Sequence, residues 1–505
     1  MPRMAVEFFG WIHRHRTAVG LALLGSTALV ARLGLLFVAG VHAEGNAFEH
    51  GEIAENLLSG RGFSVKYLGV DGPTSQQAPL YPLLLAATSV LRGFNAPSLT
   101  AVEVLQCFAG TATALVSLLL GWTLFPQQRA IGWTAGWIAA LFPSHLYMAT
   151  QIQVVVWATL LLTWLALLAS RSPGRAPWRQ AILLGITAGL LLLVEPILAL
   201  TLPIIAIEAW RRDWRASSVP WFATGPALRA SLVAFTALVV ITPWLIRNYH
   251  VHGQFVFIKS SFGYAFWQGN NEASWGTDKI PKVEAERMRA AHDGTLAGLN
   301  RALWNARHET IYIDDLLLQP CGYREFQGLS EPQRSQLLMD RAKTAIANDP
   351  ARYFRLCAQR LRYFLLFDET NPKAANQLYR AMTVVWLVLT LLGLLVTRSE
   401  WRVLWPTWAI FGLVTLFHTL TITSARFRMP LEPITFVWIA AGVAPLGVRL
   451  QSHVLAVVAS MLRRLRTMPA KPPTAPIPQR DPPKPHIPVG GVVRPRHSST
   501  ASSKR

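Results

Sequence analysis

The feature that most constrains this chain is a series of long apolar runs separated by short loops rich in arginine. About ten runs are long enough to cross a bilayer when short ones are allowed, and they cover 18–41, 98–122, 131–149, 152–170, 181–194, 196–210, 230–245, 381–396, 403–421 and 430–448. Soluble domains carry about 25% charged residues, whereas this chain is 52% hydrophobic and 15% charged. The pattern therefore predicts an all-α polytopic membrane protein with about ten transmembrane helices.

The positions of the arginines predict how the chain is threaded through the membrane. Arginines precede the first run, follow the last, and fill the loops between the fourth and fifth, sixth and seventh, and eighth and ninth runs. With ten spans these loops share one side, and positively charged loops are typical of the cytoplasmic side. Both termini are then predicted to be cytoplasmic, in a multi-pass protein of a bacterial cytoplasmic membrane. Because this pattern accounts for the net charge of +21, no nucleic-acid partner is expected.

The threading divides the chain into five regions. They are a cytoplasmic N-terminus at 1–17, a transmembrane region at 18–247 with a first outer loop at 42–97, an extracytoplasmic domain at 248–380, C-terminal transmembrane helices at 381–450, and a cytoplasmic tail at 451–505. The basic, proline-rich composition of the tail predicts that it is mostly disordered and lies near anionic lipid.

Both outer regions are predicted to contain secondary structure. The apolar segment 79–91 is interpreted as an interfacial helix, since counting it as a span would move most arginines to the outer side. The domain between spans seven and eight is predicted to be mixed, with a strand-like segment at 255–258. Two helices at 333–347 and 352–367 are predicted to separate at Asp349-Pro350.

Carboxylates are crowded just after the first span. If 47–58 is a helix, Glu49, Glu52 and Asn56 share one face and apolar side chains occupy the other. A carboxylate held at headgroup depth can act as a general base on an incoming hydroxyl or amine. The alternative is that these acids only solvate an interfacial helix.

Arginines lie close to this face of the membrane as well. Arg247, at the end of the seventh span, suits a lipid phosphate or snorkels to headgroups. Arg426 and Arg428 enter the last span from outside, against the charge rule, which favours a functional role. Arg61 belongs to a Gly-Arg-Gly turn predicted to cap the acidic helix, and it is either a phosphate ligand or an ordinary loop arginine.

The remaining polar candidates are weaker. Arg360 and Arg362 lie on a helix that returns to the membrane, and His145 is expected to be a satisfied helix histidine. Cys321 and Cys357 are able to pair if the outer domain is extracytoplasmic. No cysteine–histidine group has the spacing of a metal site.

Taken in order, these clusters resemble the GT-C integral-membrane glycosyltransferases, and most nearly the bacterial group similar to dolichyl-phosphate-mannose mannosyltransferases and aminoarabinose transferases. The resemblance covers about 15–450 and rests on motifs at 48–58, 60–63, 79–82, 243–249, 269–271 and 425–433. It implies an inverting transfer, without metal or other cofactor, from a polyprenyl-phosphate sugar donor. The acceptor, a glycan, a lipid or a protein, stays open.

The resemblance also implies roles for individual residues. An acid of the first outer loop is the base, which makes Glu49 the first candidate and Glu52 its rival. The matching position is usually Asp in the family, and His50 stands where Tyr is common. Where the family often has a second acid, before the fourth span, this chain has Gln151 and Gln153.

Substrate binding is implied for residues on the same outer face. Arg247, Arg426 and Arg428 are expected near the departing phosphate. The residues expected to line the sugar or acceptor groove are Tyr249, Trp267 and Asn270.

Two other functions remain as alternatives. A secondary transporter has a similar number of spans, but matched halves with charges or broken helices near the midplane are typical of that class. An O-antigen ligase or polymerase also uses lipid-linked donors, but places its key arginines and histidines in a late outer loop.

Overall fold

A computed structural model describes residues 15–38, 47–94, 96–172, 176–217, 224–281, 312–313, 317 and 323–444. Its α-helices, numbered α1 to α15 in chain order, are Arg16–Val38, Phe48–Leu58, Leu80–Ala87, Leu99–Leu124, Arg129–Leu141, Pro143–Ala149, Val155–Ser170, Pro177–Val194, Leu202–Ser217, Thr224–His252, Phe262–Asn270, Glu331–Asn348, Pro350–Leu365, Gln377–Val396 and Trp401–Leu420. Short 3₁₀ helices are Thr88–Arg92, Pro196–Thr201, Arg324–Phe326, Pro372–Ala375, Arg398–Glu400 and Ala425–Leu431. A further helical stretch covers 432–444, where the description ends.

Six helices among the described residues are long and apolar enough to cross a membrane, namely α1, α4, α8, α10, α14 and α15. The predicted helical chain with apolar spans is thus confirmed, whereas the predicted number of ten spans is not confirmed among the described residues. The third predicted run is divided into α5 and α6 at Pro143, which begins a new helix. The sixth becomes a 3₁₀ turn followed by α9.

Close contact between α8 and α10 depends on small residues. A Cβ atom added at Gly185 would stand 2.6 Å from the carbonyl oxygen of Val233, and one at Gly189 would stand 3.1 Å from that of Ala237. Glycines four residues apart allow two helix backbones to approach in this way. The pair of helices therefore forms a closely packed unit that carries Arg247 at its end.

Arg32, on α1, is fully buried and holds the first helix against α5. Its guanidinium donates to the carbonyl oxygens of Ala139 at 3.0 Å and Ala140 at 2.9 Å. These carbonyls lie in the last turn of α5, where helices leave carbonyl groups without intrahelical partners. This membrane-embedded charge is therefore engaged in the packing of two helices.

The first outer loop contains a hairpin that the sequence analysis did not predict. Strand β1, Ser64–Tyr67, pairs antiparallel with β2, Val70–Pro73. Leu68 and Gly69 connect them with φ angles of 50° and 76°, as a two-residue turn of the tight hairpin type requires.

Both outer regions share one apolar core. Its buried residues are Ile53, Phe63, Val65, Tyr67, Leu68, Trp267, Ile280, Ile313, Leu317, Phe326, Leu338 and Ala342. They come from the acidic helix α2, the hairpin and the residue before it, α11, α12 and the segment between α11 and α12. Loop 42–97 and domain 248–380 are thus one structural unit in their described parts.

Glu331, at the start of α12, joins these regions by hydrogen bonds. Its carboxylate is buried and accepts from Thr74 Oγ1 at 2.6 Å and from the Ser75 amide at 2.7 Å. It also accepts from the hydroxyl of Ser260. One side chain therefore fixes the end of the hairpin to two segments of the outer domain.

The predictions for the outer domain are partly confirmed. Helices α12 and α13 match the two predicted helices and separate at Asp349. The predicted strand at 255–258 is wrong, because the Ile258 carbonyl accepts from Trp244 and Asn248 side chains on α10 rather than from a partner strand.

Some predictions fall on residues that the structure does not describe. These are most of the N-terminal region 1–17, all of the tail 451–505, and Cys321. Cys357 is a free, buried thiol.

Candidate active site

The acidic helix α2 is formed as predicted, but its polar face is composed differently. Glu49, Glu52 and Glu55 are exposed, whereas Asn56 is buried and donates to the Ser64 carbonyl at 2.8 Å. Asn56 therefore does not share the carboxylate face and instead fixes α2 to β1. The predicted common face is correct for Glu49 and Glu52 and wrong for Asn56.

The two candidate bases differ in their hydrogen bonding. Glu52 Oε1 accepts from the Lys66 amide of β1 at 2.8 Å. The carboxylate of Glu49 makes no hydrogen bond or ion pair with any described residue. Glu49 and Glu55 are thus the exposed carboxylates of this helix without a described partner, and Glu49 is the one adjacent in sequence to His50.

The end of α2 has the predicted left-handed cap. Gly60 has a φ of 78°, and the amides of Gly60 and Arg61 donate to the Leu57 and Asn56 carbonyls, which is the Schellman arrangement. Arg61 is exposed, and its Nε donates to Ser59 Oγ at 3.1 Å.

His50 is buried beneath the carboxylates. Its ring lies edge-on to Tyr81, with 5.0 Å between centroids, and its Nδ1 has no hydrogen-bond partner among the described residues. Burial lowers the pKa of His50 to about 3, and the positive charges of Lys259 and Arg426 contribute to the same shift. His50 is therefore a neutral imidazole with two cationic side chains nearby.

Arg426 and Lys259 come from distant parts of the chain. Arg426, in the 3₁₀ helix Ala425–Leu431, is exposed and donates to Gln153 Oε1 at 3.1 Å. Lys259 is half-buried, and its ammonium makes no hydrogen bond or ion pair with any described residue. Two cations near α2 therefore lack a carboxylate partner among the described residues.

A pair of opposite charges from the outer domain, Asp278 and Lys279, lies within the electrostatic influence of Arg426. Lys279 Nζ contacts Asp278 Oδ1 at 2.6 Å. Burial works to raise the pKa of Asp278, but the positive charges of Lys279 and Arg426 hold it below its ordinary value. We call His50, Lys259, Asp278, Lys279, Asp368 and Arg426 the charged cluster.

Asp368 is the most deeply buried carboxyl of the charged cluster. Burial raises the pKa of Asp368, although the nearby charge of Lys279 opposes that shift. Its Oδ1 accepts from the Thr370 amide at 2.9 Å, and its Oδ2 has no partner among the described residues.

Arg247 is engaged with the first outer loop. Its guanidinium donates to the carbonyl oxygens of Thr74 at 2.5 Å and Phe63 at 2.9 Å, and it stacks on Trp244 at 4.7 Å. The structure thus brings this predicted residue to the base of the hairpin, with its guanidinium holding backbone carbonyls.

Arg428 lies in a buried ionic network. It is 2% exposed, and its Nε donates to Glu432 Oε1 at 2.9 Å. Its Nη1 donates to three carbonyls at the end of α13, those of residues 364, 365 and 366. His145 Nε2 lies 2.8 Å from the other oxygen of Glu432, which agrees with the expectation of a satisfied helix histidine.

The residues expected to line a groove are distributed differently. Trp267 is buried in the shared outer core, and Asn270 is 1% exposed and donates to the Thr421 carbonyl at 3.0 Å. Arg360 is fully buried and donates to Asn270 and to the Gly269 carbonyl. Of the predicted groove residues, only Tyr249 is exposed.

Sequence reasoning did not identify Lys259, Asp278 or Lys279. Lys259 is the single lysine or arginine between 248 and 278, and that isolation was the available signal. Asp278 and Lys279 are adjacent opposite charges without any motif. Within the described residues, no three potential metal-ligating side chains converge.

Comparisons with known proteins give similarity in solved structures only. No protein-family model matches the sequence, and no curated protein matches it. The oligosaccharyltransferase AglB from Archaeoglobus fulgidus, in complex with an inhibitory peptide and a dolichol-phosphate, is similar at a TM-score of 0.46 and 12% identity, over 89% of this chain and 52% of that one. An Archaeoglobus fulgidus oligosaccharyltransferase tethered to an acceptor peptide gives a TM-score of 0.48 and 13% identity, over 88% of this chain and 51% of that one.

A third solved structure is that of ArnT. ArnT from Cupriavidus metallidurans, bound to undecaprenyl phosphate, is similar at a TM-score of 0.36 and 14% identity, over 87% of this chain and 78% of that one. The chain spans about half the length of the oligosaccharyltransferases that it resembles. These similarities are of general outline and assign no residue.

Proposed function

We propose that the protein is an inverting glycosyltransferase that moves a sugar from a polyprenyl-phosphate donor to an acceptor at the outer face of the cytoplasmic membrane. The observation that carries this proposal is one juxtaposition. An exposed carboxylate without a described partner, Glu49, adjoins His50, and two cations, Lys259 and Arg426, lie near enough to lower the pKa of that histidine.

A single displacement needs a base for the acceptor proton and positive charge near the leaving phosphate. Glu49 takes the proton from the acceptor hydroxyl or amine as that atom bonds to the anomeric carbon. The bond between the anomeric carbon and the phosphate oxygen breaks, and the lipid phosphate leaves with the electron pair. Attack from the face opposite the leaving group inverts the anomeric centre.

The leaving phosphate gains negative charge during this step. Lys259 and Arg426 supply positive charge where it develops, and cations already in place cost little reorganisation in the transition state. Arg61, exposed after α2, is a further candidate for the phosphate. Arg247 supports this region by holding the hairpin carbonyls.

The other predicted residues take different places in the proposal. Glu52 is the second candidate base, with its hydrogen bond to Lys66 orienting it. Tyr249 remains a candidate contact for the donor. Trp267 packs in the shared outer core, Asn270 bonds the Thr421 carbonyl, and Arg428 is paired with Glu432, so these three residues have structural places.

The test of the base is Glu49→Gln, with Glu55→Gln as the matched control, because both glutamates are exposed on α2. Each variant is expressed in a strain that lacks the protein, and envelope glycans and lipids are compared for a missing sugar. Glu49→Gln is expected to lower transfer about 10²- to 10⁴-fold, the usual contribution of a general base. Glu55→Gln is expected to restore the sugar fully.

The test of the cations does not depend on the identity of the sugar. Purified protein is titrated with undecaprenyl phosphate, and Lys259→Ala and Arg426→Ala are expected to weaken binding while Glu49→Gln is not. Full transfer by Glu49→Gln would remove that residue from the mechanism. Unchanged binding in both cation variants would remove the proposed phosphate site.

A further inference from the structure

A cavity of about 400 Å³ lies between α7, α8, α9 and α10, at the end of the bundle that carries the arginine-rich loops. Its walls are almost entirely apolar. They include Leu165, Leu184, Ala206, Val233, Ala234 and Ala237.

Several of its wall residues, among them Pro203, Ala206 and Ala234, are exposed, so the cavity opens to the outside of the bundle. Apolar walls of this kind do not retain water. The walls lose dispersion contacts unless an apolar group fills the space. A hydrocarbon chain is therefore the chemistry that this cavity accepts.

The charged side chains at the mouth differ in how they are paired. Arg229 lies at the cavity with its Nε 2.6 Å from Asp213 Oδ2. Arg171 also lines the cavity, is exposed, and makes no ion pair with any described residue. Arg171 follows the end of α7, so a favourable interaction with the helix dipole is its structural alternative.

Two tryptophans lie at the end of the bundle where the cavity opens. Trp210 lines the cavity and Trp178, at the start of α8, is 52% exposed. Tryptophan is enriched where the apolar membrane meets the headgroups. The mouth of the cavity therefore lies at headgroup depth, where Arg171 can reach a phosphate.

We propose that this cavity binds an anionic phospholipid, with one acyl chain between α9 and the closely packed pair α8 and α10, and its phosphate against Arg171. An anionic lipid fits better than a zwitterionic one because the surrounding loops are strongly basic and attract negative headgroups.

The cavity is separate from the proposed transfer site. Ala234, on its wall, and Arg247 are 13 residues apart on α10, which is about 20 Å along a helix axis. The lipid is therefore a structural partner of the bundle, distinct from the polyprenyl-phosphate donor at the other end.

The test uses full-length protein in detergent, titrated with phosphatidylglycerol or with phosphatidylcholine of the same acyl chains. Retained lipid is counted by native mass spectrometry, and the midpoint of thermal unfolding is recorded. We expect one phosphatidylglycerol to be retained and to raise the midpoint, and phosphatidylcholine to have less effect.

One variant tests the phosphate contact and another tests the space for the acyl chain. Arg171→Gln is expected to weaken phosphatidylglycerol binding about fivefold, the effect of one cation near an anionic headgroup. Ala234→Phe fills the cavity from an exposed wall position and is expected to abolish retention. Ala206→Phe serves the same purpose if Ala234→Phe does not fold.

The matched control is Arg398→Gln, since Arg398 is an exposed arginine that follows α14 and does not line the cavity. It is expected to bind lipid as the unmodified protein does. Equal loss in Arg398→Gln and Arg171→Gln would show a diffuse charge effect and overturn the proposal. Retention of phosphatidylglycerol in a folded cavity-filling variant would also overturn it.

Discussion

The charged cluster beside α2 and the buried network around Glu432 each contain an arginine of the same motif. The two arginines differ in burial and in their hydrogen-bond partners. In the network, Arg428 donates to a carboxylate and to three carbonyls, and it is 2% exposed. In the cluster, Arg426 is two residues away in sequence, is exposed, and has one neutral hydrogen-bond partner in Gln153. Neighbouring arginines of one motif therefore have different environments.

The difference has an energetic basis. A buried charge is costly unless a partner and hydrogen bonds compensate for its lost hydration. An exposed charge needs no such compensation and stays available to a ligand. Structural arginines are therefore those whose guanidinium is paired with a carboxylate or carbonyl of the fold. Candidates for binding are those without such a partner, and position relative to the membrane does not distinguish the two groups.

The largest effect is expected from breaking the buried network. Arg428→Met leaves Glu432 without its cationic partner in the interior, and removal of one member of a buried ion pair costs about 3–5 kcal/mol of stability. Thermal unfolding of the purified variant measures this loss. The double variant with Glu432→Met is expected to recover part of it. If the Arg428→Met protein is stable but fails to bind undecaprenyl phosphate, Arg428 is a phosphate-binding residue like Arg426 and not a structural one.

The next effect concerns activity alone. Arg426→Gln is expected to lower transfer about 10²- to 10³-fold, the usual result of removing one group that stabilises transition-state charge. Its stability is expected to change by less than about 0.5 kcal/mol, as for other exposed positions. Arg362→Gln, at an exposed arginine of α13, is the control for charge loss. Equal loss of transfer in both variants would mean that net charge, and not Arg426, matters.

Much of the helical frame was predictable because long apolar runs and the Asp349-Pro350 break are local signals. The Gly-Arg-Gly cap after α2 was predictable for the same reason, since its conformation depends on a few consecutive residues. The position of Asn56 was not, because its amide is bound to a hairpin carbonyl that helical periodicity cannot show.

The candidate site was predictable in part. The carboxylates of α2 and Arg426 follow from their sequence neighbourhoods. Lys259 and Asp278 reach the charged cluster only through the packing of the outer domain on the first outer loop, a long-range arrangement with no local pattern. For the same reason, the carbonyl contacts that engage Arg247 and Arg428 are not visible in the sequence.

A smaller effect is expected at Arg247, which is intermediate between the two regions because it is half-buried and holds two loop carbonyls. Arg247→Lys keeps the charge but cannot reproduce the two-branched contact to Phe63 and Thr74. Loss of a buried hydrogen-bond partner costs about 1–3 kcal/mol. Hydrogen exchange should show faster opening of the hairpin, with α12 unchanged. Normal protection of the hairpin would show that Glu331 alone holds it.

An effect confined to acidic pH, about 1.4 kcal/mol per pH unit, is expected from His50, a buried member of the charged cluster. Its pKa is about 3 in the folded protein, below the ordinary value of about 6.5. The unfolded chain therefore binds a proton that the folded protein does not between these values, and stability falls as pH decreases through that window. His50→Phe keeps a ring against Tyr81 and removes this titration, so its stability should decline less steeply below pH 6.5. Parallel curves of stability against pH for the two proteins would mean that His50 is solvated and that Lys259 and Arg426 do not act on it.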